Sequence, residues 1–101
     1  MTSVPPEIEG ASVLCAATLD DRCRWTGLCR HHRDGIPLDV ASFLAICETG
    51  GIYYLFGCDS TWCPQSETRH WTLDEAKAQA EYEYDGIGKC WVDLALLLPP
   101  P

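Results

Sequence analysis

Two adjacent glycines, Gly50 and Gly51, stand between the apolar runs Phe43 to Glu48 and Ile52 to Cys58, and no other feature restricts the fold of this chain as much. Glycine reaches positive φ without steric penalty, so the pair suits both central positions of a two-residue hairpin turn. With those glycines as the loop, Thr49 faces Ile52, Cys47 faces Tyr54, Ala45 faces Phe56 and Phe43 faces Cys58. One side of the ribbon then carries Phe43, Ala45, Cys47, Tyr54, Phe56 and Cys58, and the other carries Leu44, Ile46, Tyr53 and Leu55. Both sides are apolar, which places the hairpin centrally in a sheet.

After a turn at Asp59 to Pro64, Gln65 to Trp71 returns as a third strand whose Glu67 and Arg69 share a face, a polarity suited to an edge. Thr72 with Glu75 forms a capping box in which each side chain accepts from the other residue's backbone N–H, with Trp71 stapled against Ala76. The helix so opened runs from Leu73 to Asp85, with an apolar stripe of Leu73, Ala76, Ala80 and Tyr84 that continues to Ile87. Asp74 and Glu75 lie at the favourable end of the helix dipole, whereas Glu81, Glu83 and Asp85 lie near its negative end with no local gain. Gly86 stops the helix, and Lys89 to Leu98 alternates loosely enough for a further strand. Upstream, Ala11 to Leu19 reads as a short strand without a clean period, and Asp20 to Gly35 as loop.

The string Tyr54-Leu55-Phe56-Gly57-Cys58-Asp59, then Trp62, Glu67-Thr68-Arg69-His70, Thr72-Leu73-Asp74-Glu75-Ala76-Lys77 and Gln79-Ala80-Glu81-Tyr82-Glu83-Tyr84 resembles a group of small bacterial proteins of uncharacterised activity. These share the succession of strand, turn, strand and helix. The resemblance implies a bacterial origin and a common module, and brings no activity with it.

A chain of 101 residues is one domain. Residues 1–10, with Pro5, Pro6, Glu7, Glu9 and Gly10, read as a flexible tail, residues 11–98 as a single α+β domain, and residues 99–101 as an extended prolyl end. Lysine and arginine number 7 against 15 acidic residues, for a net charge of −8. That balance argues against a phosphate-binding surface, hence against nucleic acid, and suits a basic partner. The seven cysteines are an odd number, and Met1 to Gly10 lacks the basic start and apolar run of a secretory signal, so the expectation is a cytoplasmic protein with reduced thiols. Leu94 to Leu98 is far short of the roughly 20 apolar residues that span a bilayer, so no membrane segment is expected.

Thiolate and imidazole are zinc ligands, and two sets of them occur: Cys23, Cys29, His31 and His32, and Cys58, Cys63 and His70. Cys58 and Cys63 flank a turn, whereas the adjacent His31 and His32 would point apart on a regular element. The second set could also pair a cysteine nucleophile with His70 as base, which would need the ring to lower the thiol pKa. Cys15, Cys47 and Cys90 lie in apolar runs and read as core. Arg22, Arg24, Arg30 and Arg33 cluster around Trp25 and could grip an anion; the plainer reading is a solvated loop whose arginines pair with the acidic helix. Finally, Glu81, Tyr82, Glu83, Tyr84 and Asp85 with Trp62 and Trp71 make an acidic, aromatic face, the composition of a docking surface for a basic protein.

The expected fold is α+β, a three- or four-stranded, mainly antiparallel sheet with one principal helix on one face. The face lined by Leu44, Ile46, Tyr53 and Leu55 is left over, to be covered by the N-terminal segment or by a second copy of the chain, a homodimer. The expected function is a small acidic, non-enzymatic protein-interaction module, such as an inhibitor or immunity protein for a basic partner, with Trp62, Trp71, Glu81, Tyr82, Glu83 and Asp85 as its binding set and no cofactor. The alternative is a metal-binding or thiol-dependent protein using Cys58, Cys63 and His70, with structural zinc.

Overall fold

A computed structural model describes residues 3–94. The chain runs through β1 (Glu7–Ile8) and β2 (Ala11–Thr18) into an arm that carries β3 (Arg24–Trp25), β4 (His32–Arg33) and β5 (Ile36–Pro37). A meander follows, β6 (Phe43–Thr49), β7 (Ile52–Cys58) and β8 (Pro64–His70), then the helix α1 (Leu73–Glu83), the short β9 (Tyr84–Asp85), a 3-10 turn at Ile87–Lys89 and β10 (Val92–Asp93). The architecture is α+β, mostly antiparallel sheet with one helix, but the sheet is larger than expected, with six strands curled into a half-barrel. Its order is β1-β2-β6-β7-β8, and β10 shares the outer edge of β2 with β1. Of the two short strands on the outer edge, β1 comes from a segment too short to show a period, and β10 falls within the stretch from Lys89 that reads as a further strand. Glu7 and Ile8, read as tail, pair with Ser12 and Ala11 and bury Ile8.

The central hairpin has the expected register, from Thr49 opposite Ile52 to Phe43 opposite Cys58. Gly50 and Gly51 take φ of 58° and 82°, the positive values that the turn requires. β8 lies at the edge, as its polarity suggested. In β2 the register shifts between Val13 and Cys15. This bulge at Leu14 puts Ala11, Val13 and Ala16 on one face and Cys15 and Ala17 on the other, so the strand could show no clean period.

The sheet is buried on both faces. Leu44, Ile46 and Leu55 pack with Ala76 and Ala80 of α1, then with Tyr84, Ile87 and Cys90. The face expected to be left over is therefore the one under the helix, and the need for a second copy of the chain to cover it does not arise. The opposite face, with Ala45, Cys47, Phe56 and Cys58, is closed by Ile8, Trp62 and Leu94. Both sides of the hairpin are apolar, so periodicity could not tell which one receives the helix. Ile46 and Ile87 are fully buried, and each such side chain contributes about 1.5–3 kcal/mol.

The helix starts as expected at Thr72, whose Oγ1 accepts the Glu75 N–H at 3.1 Å. The return bond differs, since Glu75 Oε1 accepts from the Trp71 N–H at 3.3 Å rather than from Thr72. Trp71 is 76% exposed and makes no staple. The helix ends at Glu83, two residues earlier than expected, because Tyr84 turns extended and pairs with Trp25 in a ribbon of β3 and β9. Gly86 follows with φ of 87°, where a Cβ would lie 2.6 Å from the carbonyl oxygen of Arg22. Only glycine lets the base of the arm pass so close. Instead of one strand from Lys89, a 3-10 turn leads into β10; the part of that expected strand from Ala95 on, with the prolyl end, lies outside the described residues. No helix among the described residues is long and apolar enough to cross a membrane.

Candidate functional site

The arm is clipped to the end of the helix by long-range bonds. Beyond the β3–β9 ribbon, the Thr26 N–H donates to the Glu83 carbonyl at 2.9 Å and the Thr26 hydroxyl to the Tyr82 carbonyl at 2.7 Å. Inside the arm, the Trp25 indole N–H donates to the Cys29 carbonyl at 2.9 Å, and the Arg30 guanidinium lies over the Trp25 ring at 5.3 Å. The Leu38 N–H closes the arm on the His31 carbonyl at 2.8 Å. These bonds hold Cys29 and His31 against the last turn of α1.

Between arm and sheet lies a cavity of about 400 Å³, within the size range of small-ligand pockets. Trp25, Cys29 and His31 form its arm side, Ala41 and Gly57 its sheet side, and Tyr84 part of its wall. At its rim, His31 Nε2 lies 2.8 Å from Glu83 Oε1 and 3.8 Å from Cys29 Sγ. Glu83 is only 4% exposed, and its other oxygen accepts from Gln79 Nε2 at 2.8 Å, one helical turn back. A carboxylate so buried needs hydrogen-bonded or cationic partners, and the imidazole and amide supply them. Burial, and after it the Glu83 charge, pushes the Cys29 thiol up from its ordinary pKa.

Cysteine, histidine and glutamate together suggest a nucleophile, base and orienting acid, but such a relay needs the acid and the thiol on opposite ring nitrogens. Here both approach Nε2. The arrangement suits convergence on one ion better, because the three donor atoms lie within 4.8 Å of one another. Asp20, Cys23 and Cys90 make a second such group, although Asp20 is engaged by Arg22 through an ion pair of 2.8 Å.

The anticipated zinc or thiol set does not assemble. Cys58 is buried, Cys63 is exposed, and His70 sits opposite Tyr53 at the far end of β8 from Pro64, which faces Cys58. His70 lies six positions along the strand from Pro64, a distance of roughly 20 Å. Burial also pushes the Cys58 thiol up to about 12, the opposite of what a nucleophile needs. From the first set, Cys29 and His31 come together, while Cys23 joins Asp20 and Cys90, and His32 is exposed on β4.

The anticipated binding face divides. Trp62 is buried, its ring stacked on Phe43 at 4.2 Å. Trp71 lies exposed at the start of α1, at the opposite end from Tyr82. Glu83 is the buried partner of His31. Glu81, Tyr82 and Asp85 remain exposed, with Glu81 also accepting the Gly86 and Gly88 N–H groups at 3.2 and 3.0 Å. The arginines do not pair with the helix: Arg22 binds Asp20, Arg30 the Leu38 carbonyl and Arg33 the Gln65 carbonyl.

Glu83 is the site residue that sequence reasoning placed wrongly, on an outer face. A signal was available, since Glu83 lies seven positions after Ala76 and three after Ala80, on the same helical stripe. A carboxylate on an apolar stripe points to a buried partner. Compared with known protein families, curated proteins and solved structures, the chain matches none.

Proposed function

We propose that this chain is an acidic protein-interaction module that docks a basic partner, as an inhibitor or immunity protein does, through the C-terminal end of α1 and the adjoining arm. The observation that carries this reading is uncompensated charge beside exposed apolar surface. The net charge is −8, yet among the described residues Arg22 with Asp20 is the one ion pair of an arginine or lysine, and Glu83 is paired with His31 at 2.8 Å. Glu81 and Asp85 stand outside both pairs and flank Tyr82, which is 50% exposed. The Tyr82 hydroxyl donates to the Leu28 carbonyl at 3.4 Å, and Leu28 is itself exposed. Unpaired carboxylates raise the field that steers a cationic protein inward, and an amphipathic tyrosine with an adjacent leucine supplies an anchor at the centre.

The test places a photo-crosslinking phenylalanine analogue at position 82 and, as a control, at position 67 on β8, in the producing cell. A basic protein crosslinked at 82 and not at 67 is expected. Its capture by purified chain should be lost in the Glu81→Lys/Asp85→Lys variant. It should also weaken between about 0.01 M and 1 M salt, as the screening length falls from about 30 to 3 Å. Equal capture by the charge-reversed variant, or a partner without excess positive charge, would sink this reading.

A further inference from the structure

We propose that Cys29, His31 and Glu83 form a three-ligand zinc site whose fourth position opens on the cavity between arm and sheet. The site adjoins the docking surface, at the same end of α1 and in the same arm, but its three ligands are not the residues of that surface and the site does not depend on it. The donor chemistry is mixed in the manner zinc prefers: one thiolate, one imidazole and one carboxylate, too soft a set for magnesium or calcium. Zinc bonds of about 2.0–2.3 Å put neighbouring tetrahedral ligand atoms roughly 3.3–3.7 Å apart. The separation of 3.8 Å between Cys29 Sγ and His31 Nε2 is already close to that. The 2.8 Å between His31 Nε2 and Glu83 Oε1 must open by about half an ångström to admit an ion.

The surroundings resemble those of a built metal site. Gln79 Nε2 holds the Glu83 oxygen that faces away from His31, the outer-shell bond that orients a ligating carboxylate. The backbone of Cys29 is held by the Trp25 indole and that of His31 by Leu38, so two of the ligands are positioned before an ion arrives. Charge balance also favours a dication, because a thiolate and a buried carboxylate together carry two negative charges. Binding expels the Cys29 thiol proton to solvent and requires His31 to present Nε2 as a lone pair, with its remaining ring hydrogen on Nδ1. Three protein ligands leave one position free. Cys29 and His31 both belong to the cavity wall, so water or a small oxygen- or sulfur-donor molecule in the cavity completes the tetrahedron.

The experiment titrates the reduced, chelator-stripped full chain with Zn²⁺ and, in parallel, with Co²⁺. One equivalent of zinc is expected, and cobalt should give a tetrahedral spectrum with a thiolate-to-metal charge-transfer band. Cys29→Ser should abolish that band. Glu83→Gln should weaken zinc binding more than about 100-fold, and Gln79→Ala about 10- to 100-fold, whereas Cys23→Ser should change neither. Should Cys29→Ser fail to fold, alkylation of the unaltered chain decides instead: zinc should protect Cys29 and leave Cys63 reactive. An octahedral cobalt spectrum, the absence of stoichiometric zinc, or alkylation of Cys29 undiminished by zinc would overturn the site. So would a thiolate band lost with Cys23→Ser and kept with Cys29→Ser, which would place the ion at Asp20, Cys23 and Cys90.

Discussion

Removing the imidazole of His31 while leaving Glu83 in place isolates the energetic weight of the buried pair. The Glu83 side chain is 5% exposed and that of His31 26%. Deleting one partner of a fully buried pair costs about 3–5 kcal/mol, because a desolvated charge is stranded. Two features reduce that figure here. Gln79 still serves one carboxylate oxygen, and the partly exposed place of the ring lets water reach the other. His31→Ala should therefore cost about 2 kcal/mol, below the range for a sealed pair. Glu83→Gln keeps the shape and strands no charge, so its expected cost is about 1 kcal/mol, that of weakening one hydrogen bond. The double variant has neither a stranded charge nor the pair, and should cost about 2 kcal/mol, leaving a coupling of about 1 kcal/mol between the two sites. Urea unfolding of all four proteins at pH 7, with chelator present so that metal binding does not add to stability, measures this at constant m. A coupling below about 0.3 kcal/mol, within the additivity expected of residues that do not interact, would refute the reasoning. It would mean that Glu83 finds its counterpart in water and that the arm does not lie against the helix as described.

The thiols should divide by burial rather than by sequence neighbourhood. At about pH 8 an alkylating reagent reads thiolate and access together, so Cys63 should react first, whereas Cys15, Cys47 and Cys58, pushed up by burial to about 11, about 12 and about 12, should stay unmodified until urea unfolds the chain. Peptide mass spectrometry checks the order, and Cys58 modified as fast as Cys63 would contradict it. Acid should loosen the turn between β7 and β8. The Asp59 carboxylate accepts from the Thr61 hydroxyl and from the Thr61 and Cys63 N–H groups, and these bonds hold its pKa below the ordinary value. Its contribution is thus whole above the unfolded value of about 3.9 and is lost as pH falls through the lower folded value. Asp59→Asn should lower Tm at pH 7, with the difference closing below about pH 4. A difference independent of pH would show that the charge does not act.

The hairpin was legible because two local signals agreed: Gly50 and Gly51 could supply the turn, and apolar runs of similar length flank it on both sides. Thr72 and Glu75 marked the helix start for the same reason, a capping pattern complete within four residues. Elsewhere the deciding contacts were distant. The arm folds as two-residue ribbons whose partners lie far along the chain, as Trp25 with Tyr84 shows, and so short a ribbon has no period to read. β2 was legible as a strand, but the bulge at Leu14 shifts its phase halfway and concealed which of its residues share a face. Trp62 sits in a turn with nothing local to mark it as core, and its burial comes from the stack on Phe43 and the sheet face it closes. For the site, residue type pointed to Cys29 and His31. Their third companion was lost in an acidic run, where only its place on the helical stripe set Glu83 apart from Glu81 and Asp85.

The clip between arm and helix also orders events in time. Thr26 and Tyr82 are 56 residues apart, and His31 and Glu83 are 52. As the chain leaves the ribosome, Cys29 and His31 emerge well before the last turn of the helix that receives them, while β6, β7 and β8 can pair with their nearest neighbours as they appear. Throughout that interval the Cys29 thiol meets solvent, oxidants and metal ions without Glu83 beside it. A chain interrupted before Glu83 would carry the strands of the meander and no cavity rim, so this rim waits on the synthesis of the last turn of α1.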